Sequence, residues 1–201
     1  MDPLDPLDAA RKRSGHPWVD VVVGGSAILI ALISLVIALR QSQIMDRQLA
    51  ASVWPHLQYG TSNQSDDGKQ VVSLDVENAG VGPALVHSMS LHYRGRALHN
   101  ARELVDACCK DLVESGVKPS WSTSTLHDWV LTPSRQKSFF VLTSAQTNAP
   151  YWQRLNVERE NIQVSICYCS VLGQCWLLDS RSTDQQAVAA CPAAAADDYR
   201  E

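Results

Sequence analysis

The stretch ICYCSVLGQCW, residues 166–176, decides how the folded part of this chain is built. Leu172-Gly173 is a turn signal between two apolar, β-prone runs. If Val171, Leu172 and Gly173 form a three-residue hairpin loop with Gly173 in the left-handed region, Ser170 pairs with Gln174 and Cys169 lies opposite Cys175. That pair is of the non-hydrogen-bonded type, with Cα atoms about 4.5 Å apart, a separation that a disulfide spans. The same register puts Ile162, Val164, Ile166, Tyr168, Trp176 and Leu178 on one face, toward a core. Cys167, Cys169, Cys175 and Leu177 share the other face.

Upstream, the same two-residue period recurs. Val72, Leu74 and Val76 alternate with Ser73, Asp75 and Glu77, and further runs appear at 56–60, 84–93, 124–131 and 137–143. With 162–169 and 175–178 this predicts about seven short strands, separated by turn signals at Asp66-Asp67-Gly68, Arg94-Gly95 and Thr132-Pro133-Ser134. Strands of this number and length predict a mainly β domain, an immunoglobulin-like antiparallel sandwich. Ala101, Leu104, Val105, Cys108, Leu112 and Val113 recur at helical spacing, which predicts a helix inserted over about 99–113, and 150–156 suggests a further short turn of helix. In ENAGVGPALV, Asn78, Gly80, Gly82 and Pro83 lie between two strands. A phosphate loop needs a helix after its glycines, and a β-branched run follows here. The block is therefore expected to be a structural turn, with glycines permitting positive φ and Asn78 tolerating the left-handed region.

Toward the N-terminus, VVVGGSAILIALISLVIAL (21–39) holds 19 residues without a charge. At 1.5 Å per residue this length suits a hydrocarbon core about 30 Å thick. It is too long for the apolar region of a cleaved signal peptide. Residues 18–40 are thus expected to be a transmembrane helix retained as an anchor, with Trp18 at one interface and Arg40 closing the other. Arg11, Lys12 and Arg13 precede the span, against Arg40 and Arg47 after it; this bias favours a cytoplasmic N-terminus and a periplasmic domain. It leaves open the inverted topology, with a cytosol-facing domain. Residues 1–17 are expected to be disordered and 41–54 to be a helical stalk ended by Pro55. Residues 55–180 form the folded domain, and 181–201 are expected to be a loose, disordered tail.

The whole chain has 201 residues, 17 basic and 21 acidic side chains and a net charge of −4. The domain itself is near neutrality, so composition points to no nucleic-acid partner and no strongly charged one. Six cysteines need an account. Cys169 with Cys175 is the preferred bridge in an oxidising compartment, and Cys167 can meet Cys108 or Cys109 if the inserted helix packs over its face. Two other chemistries compete: zinc held by Cys167, Cys169, Cys175 and a fourth ligand such as Cys108 or His127, and thiol-redox activity of Cys108-Cys109. Ser124, His127 and Asp128 have the residue types of a hydrolase but are too close in sequence for a triad on one strand, and no nucleophile elbow is present. No catalytic, cofactor or metal residues are assigned.

In this order, a single N-terminal span, a stalk ending in ASVWPHLQ, the ENAGVGPALV block and YCSVLGQCW resemble a group of bacterial single-pass membrane-anchored proteins without an established activity. The resemblance implies Cys169, Gly173, Cys175 and Trp176 as signature positions. The expectation is a non-enzymatic binding or assembly module of the bacterial inner membrane. It contacts the lipid bilayer through residues 18–40 and, in the envelope, a protein partner; a small-molecule ligand is left open.

Overall fold

Thirty-six consecutive residues, Pro17–Ser52, form one helix, α1, in a computed structural model that describes residues 17–145, 147–192 and 198–200. Proline suits the first helical position, where its missing N–H costs nothing. Pro55 forces Trp54 out of helical geometry and ends the element. The most apolar stretch of α1 is wholly exposed, and it has the length and composition to cross a membrane. Of the expected stalk, 41–54, residues 41–52 continue the same helix without a break, and Val53 and Trp54 lie beyond its end. The segment expected to be disordered lies, apart from Pro17, outside the described residues. The chain divides into two units, one ending at Gln48 and the other running Leu49–Glu201.

The second unit is built from two antiparallel sheets. One has the order β1-β2-β7-β5, from β1 (Leu57–Gln64), β2 (Gln70–Asn78), β7 (Gln136–Thr143) and β5 (Ser122–Thr123). The other runs β10-β9-β8-β3-β4, from β10 (Gln186–Val188), β9 (Cys175–Asp179), β8 (Ile162–Cys169), β3 (Ala84–Tyr93) and β4 (Arg96–Leu98); β6 (Val130–Leu131) also pairs with β3. Local turns set the registers. Gly68 takes φ +80° between β1 and β2. Arg94 and Gly95, at φ 50° and 82°, close the two-residue hairpin of β3 and β4, as a turn with two left-handed residues requires.

Three expectations need correction. The run 124–131 is not one strand: Asp128 takes φ 54° within it, only Val130–Leu131 is a strand, β6, and the run carries the chain from β5 in one sheet to β6 in the other. The inserted helix is two, α2 (Ala101–Cys108) and α3 (Lys110–Glu114), because Cys109 leaves helical geometry at φ −130°, ψ 33°. Residues 181–192 and 198–200 are no loose tail. β10 extends the second sheet through Val188 opposite Cys175, Tyr199 donates its N–H to the Met89 carbonyl at 2.8 Å, and its ring packs edge-on against Phe139 in the core.

The alternating apolar positions are buried, and in β2 so are Ser73 and Asp75 between them. Val72, Leu74 and Val76 of β2 and Val164, Ile166 and Tyr168 of β8 are buried in one core with Phe139, Phe140 and Leu142 of β7. Ala101, Leu104 and Val105 of α2 join it, as do Tyr151 and Leu155 of the helix α4 (Ala149–Glu158). α2 starts at Asn100, whose side chain accepts from the Glu103 N–H at 3.0 Å, and Glu103 accepts in return from the His99 N–H at 2.9 Å. This reciprocal capping satisfies donors that a helix start otherwise leaves orphaned.

At the end of α4, Glu158 is a nearly buried carboxylate with four donors. Tyr93 Oη lies at 2.7 Å, Arg94 binds both oxygens, and Asn161 Nδ2 donates at 3.0 Å. The Tyr93 hydroxyl and the other donors hold the Glu158 pKa below its ordinary value, while burial and this carboxylate push Tyr93 up to about 12. A depressed native pKa makes the contribution complete above the unfolded carboxylate range and loses it as pH falls through the lower native value. We predict that Glu158→Gln lowers stability by about 2 kcal/mol at neutral pH. Urea titrations at several pH values should show the variant losing less on acidification below about pH 4 than the unaltered chain.

Candidate functional site

Two features dominate one end of the sheets, where residues 53–56 lead into β1. The first is the ENAGVGP block. Asn78 is fully buried at the end of β2, and its amide has every position filled. Oδ1 accepts from the N–H of His56 at 3.1 Å and of Gly80 at 3.0 Å; Nδ2 donates to the carbonyls of Gly82 at 2.8 Å and Leu131 at 2.9 Å. Its backbone bonds to Arg135 and Ser134 across the β6–β7 turn. One side chain therefore joins the start of β1, its own loop and the end of β6.

The loop also grips the incoming chain directly. Ala79 N–H donates to the His56 carbonyl at 2.8 Å, and the N–H groups of Val81 and Gly82 both donate to Trp54, at 3.0 and 3.1 Å. A Cβ on Gly80 would overlap the backbone of 54–56, and one on Gly82 would overlap the Val53 carbonyl. These glycines are needed for close approach, not for handedness: neither they nor Asn78 takes a positive φ, which corrects the reason given for them from sequence. Pro83 precedes β3 and contributes no ladder donor.

The second feature is sulfur. Gly173 takes φ +77° and its N–H donates to the Ser170 carbonyl, while Ser170 N–H donates to Gln174 at 2.7 Å. Cys169 stands opposite Cys175 with Cα atoms 4.0 Å apart and is disulfide-bonded to it. Cys167 is bonded to Cys191, Cα atoms 5.6 Å apart, so its partner is not Cys108 or Cys109. The C-terminal segment, rather than the inserted helices, crosses the outer face of β8. The segment that carries Cys191 has too few apolar residues to announce a strand; the shared face of Cys167 and Cys169 is the one signal in the sequence that something must cover them. Cys108 and Cys109 are bonded to each other at the junction of α2 and α3.

Of the other candidates, His127 has its Nδ1 buried and without a hydrogen-bond partner among the described residues. Ser124 Oγ donates to the Ser138 carbonyl at 2.6 Å, and His127 Nε2 lies 3.2 Å from Asp128, which is largely exposed. A cleft of ≈310 Å³ lies between β1 and the segment after β9, bordered by His56, Leu57, Tyr59, Ser180 and Gln185. Behind it Tyr168 Oη donates to Gln185 Oε1 and accepts from the Leu57 N–H, and Gln185 Nε2 donates to the Leu57 carbonyl. Burial raises Tyr168 to about 12, so it stays neutral. Beside the cleft, Arg181 is tied to Asp179 by two bonds of 2.7 and 3.0 Å. These arrangements tie strands together and present no nucleophile activated by a neighbouring base.

Comparison of the chain with protein-family models, with curated proteins and with solved structures gives no match.

The clasp predicts a graded response, read by denaturant unfolding of the full chain in detergent with tryptophan fluorescence. Asn78→Ala strands two donors and two acceptors and should cost roughly 3 kcal/mol or more. Gly82→Ala must displace backbone and should cost about 1–3 kcal/mol. Gly60→Ala, in open space on β1, should stay within about 0.5 kcal/mol. Equal effects at Gly60 and Gly82 would contradict the clasp.

Proposed function

We propose that this protein is a single-pass membrane-anchored binding or assembly module of the bacterial envelope, whose immunoglobulin-like domain is held outside the cytoplasm to engage another envelope protein. The observation that carries this reading is the exposure of α1: from Val21 to Leu39 its large apolar side chains are all about half exposed or more. Water does not tolerate such a surface, and hydrocarbon does. The helix continues to Ser52 without a break, and the chain then enters the grip of Asn78, Gly80 and Gly82. Residues 53–56, which follow the helix, are therefore tied into the domain.

Sidedness rests on two supports. Three basic residues precede the apolar run against two after it, which favours retention of the N-terminus in the cytoplasm. All six cysteines are disulfide-bonded, as an oxidising compartment permits. The binding role rests on the loops at the clasped end. Val81, Val171, Leu172 and Trp54 are exposed there, on loops that the strand registers bring to the same end of the sheets. Apolar residues projecting from rigid loops suit protein contact better than catalysis, and the near-neutral domain makes shape and apolar area the means of recognition.

A reporter enzyme active only outside the cytoplasm, fused after Glu201, should be active, and thiol titration of native membranes without reductant should find no free cysteine. A photo-crosslinking side chain at Leu172 or Val81 should give discrete adducts that one at Gly95, at the opposite end of β3, does not. An inactive reporter with six free thiols would overturn the topology, and the same smear of products from both ends would overturn the binding surface.

A further inference from the structure

Three cysteine sulfurs at the β8–β9 face are closer together than two independent cross-links require. Cys169 Sγ and Cys191 Sγ belong to different disulfides yet lie 3.7 Å apart. The sulfurs of Cys169, Cys175 and Cys191 all lie within 4.8 Å of one another; Cys167 lies outside that set, bonded to Cys191, and must turn inward to join it once that bond is reduced. We propose that Cys167, Cys169, Cys175 and Cys191 form a redox-gated tetrathiolate site, two disulfides when oxidised and the cage of one zinc-class divalent ion when reduced.

The geometry suits such an ion. Tetrahedral zinc with Zn–S bonds near 2.3 Å holds its sulfurs about 3.8 Å apart, the spacing already present between Cys169 and Cys191. Cys167, Cys169 and Cys175 are fixed by the β8–β9 ladder and are buried, and Cys191 closes the set as the half-buried fourth. Four protein ligands with no open position describe a structural centre rather than a catalytic one. Thiolates select zinc over magnesium or calcium, which prefer oxygen. The fourth ligand is Cys191, not the Cys108 or His127 considered from sequence. The Cys169–Cys175 bond, for its part, closes a separation of only six residues in a hairpin the ladder already holds, so its entropic effect is small.

The chemistry balances with a dithiol as the reductant. Each disulfide takes two electrons and two protons from one dithiol, which becomes a disulfide, so two dithiols release four thiols. Binding Zn²⁺ then expels four protons and leaves a centre of net charge −2. Oxidation by a disulfide oxidant reverses the sequence and frees the metal. Both states pin the 189–192 segment to the face of β8, so the fold is held on either side of a change in redox conditions. The inference is independent of the proposed partner and of sidedness.

The test uses the full chain in detergent, reduced with a dithiol, freed of reductant without oxygen, and titrated with Co²⁺ as probe. One Co²⁺ per chain should bind, with thiolate-to-cobalt charge transfer and tetrahedral ligand-field bands that one equivalent of Zn²⁺ removes. Cys191→Ser should weaken binding by more than about tenfold, the low end of what losing even an outer-shell partner costs. The double substitution Cys108→Ser, Cys109→Ser should leave the spectrum unchanged. In the unaltered reduced chain, Zn²⁺ should protect Cys167, Cys169, Cys175 and Cys191 from alkylation, mapped by mass spectrometry against the metal-free chain. Absence of a tetrahedral sulfur spectrum, protection of a different set of cysteines, or undiminished affinity in Cys191→Ser would each overturn the site. Neither the protection map nor the spectrum of the unaltered chain depends on a variant folding.

Discussion

The Asn78 amide is the constraint on which much of the domain depends. A buried amide has two donor and two acceptor positions, and burial makes each costly to leave empty. Here all four are used, on His56, Gly80, Gly82 and Leu131. Because these groups come from the first strand's approach, the β2–β3 loop and β6, one residue fixes how the two sheets meet at that end. The two glycines then let that loop lie against the incoming backbone at a distance no side chain permits. The approach of residues 53–56 to the β2–β3 loop is thus held by main chain, which rotamer changes cannot loosen.

The sheets are legible where apolar residues alternate along a strand. In 84–93 and 162–169 alternation places Leu91, Val164 and Ile166 on the core face, and the strands run over those residues. Legibility failed where structure rests on partners far along the chain. β10 is three residues, Gln-Ala-Val, with no period to detect; its place is set by β9 and by Cys191. The 124–131 run carries strand-like composition, but Asp128 turns it between sheets. Gly80 and Gly82 were visible as special positions, yet their reason was not, because the obstacle to a Cβ is residues 53–56, whose approach no local pattern encodes. Cys169 and Cys175 are near in sequence and their facing positions follow from a loop of three, whereas the closeness of Cys191 follows only from the path of the whole C-terminal segment.

Rigidity is distributed unevenly as a result. At the clasped end, backbone hydrogen bonds, a saturated amide and two disulfides converge within a few residues of the exposed loop tips. A surface that must recognise a partner gains from loops already held in place, since less entropy is lost on association. At the far end, the β3–β4 turn is held by Arg94 and Tyr93 on Glu158, a charge-dependent lock of a different kind.

The docking of Tyr199 sets the order in which the domain can be completed. Its N–H closes on Met89 and its ring on Phe139, contacts between the last described residues and strands made much earlier. Until that part of the chain has emerged from the ribosome and, in the proposed topology, crossed the bilayer, Phe139 lacks that cover and β9 has an open edge where β10 will sit. The nascent domain therefore passes through a period with an unpaired strand edge, the kind of surface on which neighbouring chains pair wrongly. In that proposed topology the chain, tethered at its other end, would spend the period beside the membrane, among whatever factors guard translocating polypeptides there.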